Sequence, residues 1–352
     1  MKTLMKFNKL QLLPIMTLLI MLSLISCEKT LDFDEPGNLV PKTVAEDPFL
    51  PRLEINGTVL HSESFGDINN PIVIFLHGGP GSDYRAYISQ KGIENASRYP
   101  NERTITNGGL SQLQDDCYCV FYDQRGAGLS PRFDLGEVTF DLYIEDLDAI
   151  IDYYLAKKHA ETGVLETQVN IVAWSYGGTL ATGYINRHPE KIKNIATYEP
   201  GPFSKKAYDY SIENTTSVFA QLGNDWLEEY LLSHDHLTGD DHERTDYQGL
   251  LGAFRNNPQF HEDINTPLWR YGALVGLEDL EEEARDNTSN LSSFQGNFLF
   301  MGGALTLKEY PEYSDIQMSY YPRSELVEIP GVGHTGPWEK PNEVAAIIRN
   351  FF

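Results

Sequence analysis

Val169-Asn170-Ile171-Val172-Ala173-Trp174-Ser175-Tyr176-Gly177-Gly178 is the stretch whose reading decides the fold. Residues 169–174 form an apolar run of strand length, which reads as a strand buried on both faces. Residues 177–188 read as a helix stopped by Pro189. A serine on so sharp a strand-to-helix turn is held exposed at the end of the sheet, and small flanking residues let the backbones pass. The helix N-terminus beneath it favours developing negative charge. Ser175 is therefore a candidate nucleophile. The pattern is G-x-S-x-G with Ala173 in place of the first glycine. A structural serine at a helix start is the plain alternative, so the surrounding chain has to decide.

Outward from this turn, strands and helices alternate. Residues 53–61 and 62–65 read as an opening hairpin, and 72–76, 118–122, 192–198, 298–301 and 326–329 as further strands. Residues 140–155 carry apolar side chains at helical spacing, and 339–352 close the chain as an amphipathic helix. This alternation predicts an α/β fold with a mostly parallel sheet flanked by helices. Residues 201–293 break it: they are acidic, rich in Trp, Tyr and Leu, and read mainly as helices. The expected organisation is a core over 53–200 and 294–352 with a helical cap inserted over 201–293.

Two glycine-rich motifs follow strands. His77-Gly78-Gly79-Pro80-Gly81 comes directly after 72–76. Its glycines let backbone N–H groups turn toward the nucleophile, so Gly79, with Gly78 as second choice, joins the Tyr176 N–H as an expected oxyanion hole. Asp123-Gln124-Arg125-Gly126-Ala127-Gly128-Leu129-Ser130 follows 118–122 and reads as a turn held by an Asp/Arg pair. Near the end, Ile329-Pro330-Gly331-Val332-Gly333-His334 is a strand running into a glycine-rich turn that carries a histidine.

HGGPG at 77–81, DQRGAGLS at 123–130 and the serine turn at 173–177, in this order, resemble the proline iminopeptidase branch of the α/β-hydrolases. The resemblance runs from 53 to 200 and resumes from 296 to 352. It implies the α/β-hydrolase fold with a helical cap after the sixth strand, and His334 as the catalytic base that takes the Ser175 proton and returns it to the leaving group. The branch includes aminopeptidases, amidases and esterases. In its aminopeptidases acidic cap residues hold the free α-amino group. The cap here offers Asp225, Glu228 and Glu229 among others, without a basis for choosing between them.

The third triad member departs from the pattern. The family places an aspartate shortly after the seventh strand, where this chain has Met301-Gly302-Gly303-Ala304-Leu305-Thr306. Glu309 and Asp315 lie at unusual distance. Glu199, in Tyr198-Glu199-Pro200, sits at the carboxyl end of the sixth strand, on the same rim as the histidine loop, and its extra methylene helps it reach. Glu199 is the expected acid, with Asp315 or Glu309 as alternatives.

The chain has 352 residues and a net charge of −24, which disfavours nucleic acid and anionic lipid surfaces. Lys2, Lys6 and Lys9, an apolar run from 10 to 25, and Leu24-Ile25-Ser26-Cys27 resemble a bacterial lipoprotein signal peptide over 1–26, with Cys27 as the lipidated residue. Residues 27–52 then read as a flexible tether, and the expected location is a bacterial outer membrane, periplasmic or external side. Cys117 and Cys119 lie two apart on a strand, where a bridge would be strained, and read as small buried hydrophobes. Ser233-His234-Asp235-His236 with Asp240, Asp241 and His242 reads as a solvated acidic loop rather than a metal site. No Walker loop or dinucleotide fingerprint occurs, so no cofactor is expected.

The expected function is acyl-enzyme hydrolysis of a small amide or ester, foremost removal of an N-terminal residue such as proline from short peptides. An esterase or lactonase with the same residues is the nearest alternative. Dehalogenases and epoxide hydrolases place Asp at the turn, where this chain has Ser175. A surface lipoprotein that binds a ligand with catalysis lost is the alternative outside enzymes, favoured by the missing aspartate after the seventh strand.

Overall fold

The computed structural model describes residues 40–89, 108–134, 136–214, 242–246, 268–275 and 287–352. The strands are β1 (Arg52–Ile55), β2 (Thr58–Phe65), β3 (Ile72–Leu76), β4 (Tyr118–Tyr122), β5 (Val169–Trp174), β6 (Ile192–Tyr198), β7 (Asn297–Gly303) and β8 (Ser324–Ile329). They form one eight-stranded sheet in the order β1-β2-β4-β3-β5-β6-β7-β8. β1 and β2 pair antiparallel through a tight turn at Asn56-Gly57, both at positive φ, and β2 pairs antiparallel with β4. All other neighbours are parallel. Chain order reverses at β3, which has β4 on one side and β5 on the other. In an open parallel sheet the crevice beyond the carboxyl ends of such a pair is where ligands bind. The 77–81 loop leaves β3 there, and the Ser175 turn leaves β5.

The two-residue period of the strands sorts side chains into two cores. Ile72, Ile74 and Leu76 of β3 join one, with Tyr118, Val120 and Tyr122 of β4. Val73 and Phe75 join the other, with Cys119 and Phe121. The first core is covered by α1 (Phe140–Thr162) and α2 (Tyr176–Arg187). Val344, Ala345 and Ile348 of the last helix enter the second. Each fully buried Val, Ile, Leu or Phe contributes about 1.5–3 kcal/mol, so a one-residue slip of β3 would exchange both sets at once.

Further along the chain come α3 (Lys205–Asn214), α4 (Ala304–Glu309), α5 (Tyr313–Met318) and α6 (Pro341–Phe351). β6 and β7, with residues 199–296 between them in the chain, are neighbours in the sheet. Of the expected cap, 205–214 and 242–246 are helical. Asp225, Glu228, Glu229 and residues 233–241 lie outside the described residues, as do residues 1–26 and Cys27.

Three boundaries differ from the sequence reading. Residues 40–50, expected to belong to the flexible tether, pack on the domain: Val40, Val44 and Leu50 are buried, and the Val44 N–H donates to Leu129 O (2.8 Å). Their apolar residues are too few for a periodic signal but enough to fill a groove. α1 runs on to Thr162 because its last turns bury the Lys158 stem, whose ammonium donates to Asn70 O (2.6 Å) and pairs with Glu166 (2.7 Å). Gly163, at φ 75°, then ends it. At the other end, a separate turn over Gly336–Glu339 precedes α6, which begins on Pro341. Cys117 and Cys119 are free and buried, and burial pushes the Cys117 thiol up to about 11, which keeps it unreactive.

Candidate active site

Ser175 sits between β5 and α2 at φ 53°, ψ −126°. A positive φ in a residue with a side chain costs about 1–3 kcal/mol and persists only if its surroundings over-determine it. They do. The Ser175 N–H donates to Tyr198 O (3.1 Å), and Ser175 O accepts from the Gly178 and Gly201 N–H groups (both 2.8 Å). A Cβ on Gly177 would overlap Leu76 O, and one on Gly178 would overlap the Pro200 ring. Two glycines after the serine are thus what the turn needs to lie against β3 and the end of β6.

Glu199 also has a positive φ, 40°, and is buried. Its N–H donates to Met301 O (2.9 Å), which continues the β6–β7 pairing by one residue. Each carboxylate oxygen has a partner. The Gly303 N–H donates to Oε1 (2.8 Å), and His334 Nδ1 lies 2.8 Å from Oε2. An ionised carboxylate only accepts, so the hydrogen is on Nδ1 and the lone pair on Nε2. Asp315 and Glu309, the alternative acids, belong to α5 and α4. The end of β7 has no room for an acidic loop: α4 starts at Ala304, and a Cβ on Gly303 would overlap Val332 O of the histidine turn. The Gly303 amide instead orients a carboxylate delivered from β6.

The histidine turn is held from three elements. Trp174 Nε1–H donates to His334 O (2.9 Å), the Tyr198 hydroxyl to Gly333 O (2.7 Å), and the Leu305 N–H to Val332 O (3.1 Å). Burial pushes the Tyr198 phenol up, keeping it a donor. Trp174 and Tyr198 were missed as functional residues. In sequence they are ordinary strand-end aromatics, with nothing to link them to a loop far along the chain.

Ser175, Glu199 and His334 share the wall of one cavity of about 290 Å³. Its remaining wall includes Ile212, Phe300, Leu307, Tyr310 and Tyr313. No Lys or Arg belongs to that wall among the described residues, and its one carboxylate, Glu199, is already engaged by His334 and Gly303.

The loop over 77–81 passes beside the serine. A Cβ on Gly78 would lie 2.9 Å from Ser175 Cβ, and one on Gly79, at φ +121°, would lie 2.5 Å from Gly81 N. Both positions therefore need glycine. Tyr176 is the first residue of α2, so its amide belongs to the electropositive helix end. His77 ties this loop to the next motif. The Gln124 N–H donates to His77 Nε2 (2.9 Å), so Nδ1 carries the hydrogen and donates to Gly78 O (2.8 Å). Burial holds this imidazole below the usual histidine range, against the opposing pull of Asp123. The folded state thus resists a proton that the unfolded chain takes up below about pH 6.5, and stability falls as pH drops through that value. The stability difference between the parent and His77→Asn, measured by urea unfolding, should narrow from about pH 7 to about pH 5, by at most about 1.4 kcal/mol per pH unit. A constant or widening difference would contradict a neutral His77.

The 123–130 turn is structural, but not through the expected Asp/Arg pair. Asp123 faces His61 Nδ1 (2.7 Å) and accepts from the Leu129 and Tyr84 N–H groups (2.8 and 3.0 Å). Arg125 makes a two-pronged contact with Asp146 of α1 (2.9 and 2.7 Å). Both side chains are buried, and each meets a partner from elsewhere in the chain. Removing one member of a buried ion pair costs about 3–5 kcal/mol.

Among the described residues no group of three or more His, Cys, Asp or Glu is placed to hold a metal. His242 lies 3.6 Å from Asp134. No helix among them is long and apolar enough to cross a membrane.

A parallel sheet with its switch point at β3, a strained serine on the β5–α2 turn and a carboxylate–histidine pair across the same rim define a hydrolase fold. The chain belongs to the alpha/beta hydrolase fold family, whose model matches residues 71–341. A proline iminopeptidase of Heyndrickxia coagulans is 23% identical over 290 residues, covering 79% of this chain and 89% of that protein. A cis-3-alkyl-4-alkyloxetan-2-one decarboxylase of Shewanella oneidensis is 30% identical over 96 residues, 27% of each chain. The chain spans about a quarter to a third of the length of the first curated relatives it matches, 27% and 34%. Among solved structures, a thermophilic esterase of Thermogutta terrifontis superposes with a TM-score of 0.56 at 18% identity, covering 85% of this chain and 97% of the other. At that identity the likeness concerns the fold.

Proposed function

We propose that this hydrolase is a serine hydrolase that cleaves a small amide or ester through an acyl-enzyme, with aminopeptidase activity of the proline iminopeptidase type as the leading reading. Ser175 is the nucleophile, His334 the base and Glu199 the acid that fixes the imidazole. The observation that carries this is the Glu199 carboxylate, buried and held by the Gly303 amide, with its second oxygen on His334 Nδ1. That arrangement leaves Nε2 as the acceptor that a serine proton requires. The N–H groups of Gly79 and Tyr176 are the proposed oxyanion donors, with Gly78 as the second choice to Gly79. The missing acid after β7 favours a site without catalysis, and Glu199 beside His334 counts against it.

The aminopeptidase reading draws support from the three motifs and from the iminopeptidase relative. An esterase or lactonase is favoured by one specific observation. Among the described residues, the cavity wall has no carboxylate beyond Glu199 to receive a substrate ammonium. Comparing proline and alanine arylamides with short-chain p-nitrophenyl esters decides between them. Preferential amide cleavage is the expected result, and turnover of esters alone would replace it with the esterase reading.

The N-terminal lysines, apolar run and Cys27 support attachment to a bacterial outer membrane through a lipid. Residues 40–50, part of the tether expected over 27–52, pack on the domain instead. Globomycin treatment of expressing cells, with Cys27→Ser as control, tests this. The unprocessed precursor should accumulate if Cys27 is the lipidation site.

A further inference from the structure

We propose that residues 268–273 are a buttress that sets the position of the oxyanion loop at 77–81, with Gly272 and Asp83 as positioning residues for catalysis. This rests on the serine-hydrolase reading above.

The segment is fastened to the loop along its length. The Gly272 N–H donates to Gly81 O (2.7 Å). Two residues on, Asp83 Oδ2 accepts from the Trp269 N–H (2.7 Å) and the Arg270 N–H (3.0 Å), while its Oδ1 accepts from the Arg85 N–H (3.0 Å). Arg85 Nη1 donates back to Leu268 O (3.0 Å). Asp83 is fully buried, so its acceptors are committed to these amides rather than to water.

Behind the segment stands a second fixed surface. A Cβ on Gly81 would overlap Gly272 O, one on Gly272 would overlap Gly126 O, and one on Gly126 would overlap Val275 Cγ2. Three glycines from three separate stretches are therefore stacked backbone on backbone: the 77–81 loop, residues 268–273 and the 123–130 turn. Asp246 locks the stack from the side. Its Oδ2 accepts from Arg132 Nε (2.8 Å) and Arg270 Nε (2.6 Å), and its Oδ1 from the Ala273 N–H (3.0 Å). The glycine at 272 has no turn to make. It is needed because a methyl there would have no space against the Gly126–Ala127 backbone.

The consequence is catalytic rather than only structural. Oxyanion donors act by standing where charge develops, and a displacement of about 1 Å can cost about 10²-fold in rate. A methyl at 272 would meet Gly126 O and Ala127 Cα, so either the 123–130 turn gives way or residues 268–273 shift and carry with them the Gly272 N–H bond to Gly81 O. Loop 77–81 is the one that bears the proposed donor.

The test uses the full-length chain in detergent, with p-nitrophenyl butyrate as substrate and active sites counted by the endpoint of fluorophosphonate labelling. Gly272→Ala should lower kcat per active site by about 10–100-fold and leave KM within about threefold. Should Gly272→Ala fail to fold, the Asp83 pair answers the same question. Asp83→Ala removes the acceptors of Trp269 and Arg270 and should lower kcat similarly. Asp83→Asn keeps a carbonyl oxygen for those two amides, loses only the bond from the Arg85 N–H, and should recover part of that loss. A purely structural role would lower the melting temperature and the number of active sites while leaving kcat per site within twofold of the parent in all variants; that result overturns the proposal. A parent that is folded yet neither turns over substrate nor takes up the phosphonate overturns the serine-hydrolase reading and this proposal together.

Discussion

Glu199→Gln should lower kcat by about 10³–10⁴-fold while the protein stays folded and KM changes little. The size of the effect follows from the Gly303 amide. Glutamine replaces one carboxylate oxygen by NH₂, and the Gly303 N–H, a donor, selects the remaining oxygen. The NH₂ group must then face His334 Nδ1, which becomes an acceptor. The imidazole hydrogen moves to Nε2, the atom that should take the serine proton. One substitution thus installs the wrong tautomer and removes the charge that stabilises the imidazolium. Steady-state kinetics beside a thermal melt check this. A loss of less than tenfold would mean that another carboxylate serves His334, and Glu199→Asp, Asp315→Asn and Glu309→Gln would then be compared to find it.

Ser175→Ala should lower turnover by about 10⁴-fold or more, leaving only what the oxyanion hole and binding supply, with stability within about 0.5 kcal/mol of the parent. Stability should hold because the hydroxyl is not what keeps the turn in place. The backbone bonds of Ser175 to Tyr198, Gly178 and Gly201 do so, and the Gly177 and Gly178 contacts leave no other path. Alanine keeps the Cβ and the same conformational preferences at φ 53°. A variant that unfolded would make Ser175 structural. A folded variant that kept its rate would remove it from the mechanism.

Much of this was legible in the sequence, for identifiable reasons. β3 and β5 are buried on both faces, so their signal is a continuous apolar run ending in glycines, and few other structures write that pattern. Glu199 could be read because a topological rule places the end of β6 on the rim of the histidine turn. What escaped was whatever depends on contacts between distant stretches. The Trp174 and Tyr198 clamps on the histidine turn are written as ordinary strand-end aromatics. Asp123 and Arg125 sit close enough in sequence to suggest a pair, but burial sends them to His61 and Asp146. Residues 40–50 read as tether because the stretch 28–52 is rich in Pro, Asp and Glu and has little periodicity, yet Val40, Val44 and Leu50 are buried on the domain. The buttress at 268–273 shows only as one glycine among 29, and nothing local distinguishes it.

The most direct measurement is peptide mapping by mass spectrometry after treating the folded protein with a fluorophosphonate. A single adduct on the peptide containing Ser175, absent from Ser175→Ala and formed much more slowly in Glu199→Gln, is the predicted result. No adduct in a folded protein, or one formed equally well without the Ser175 hydroxyl, would contradict the assignment of this site as that of a serine hydrolase.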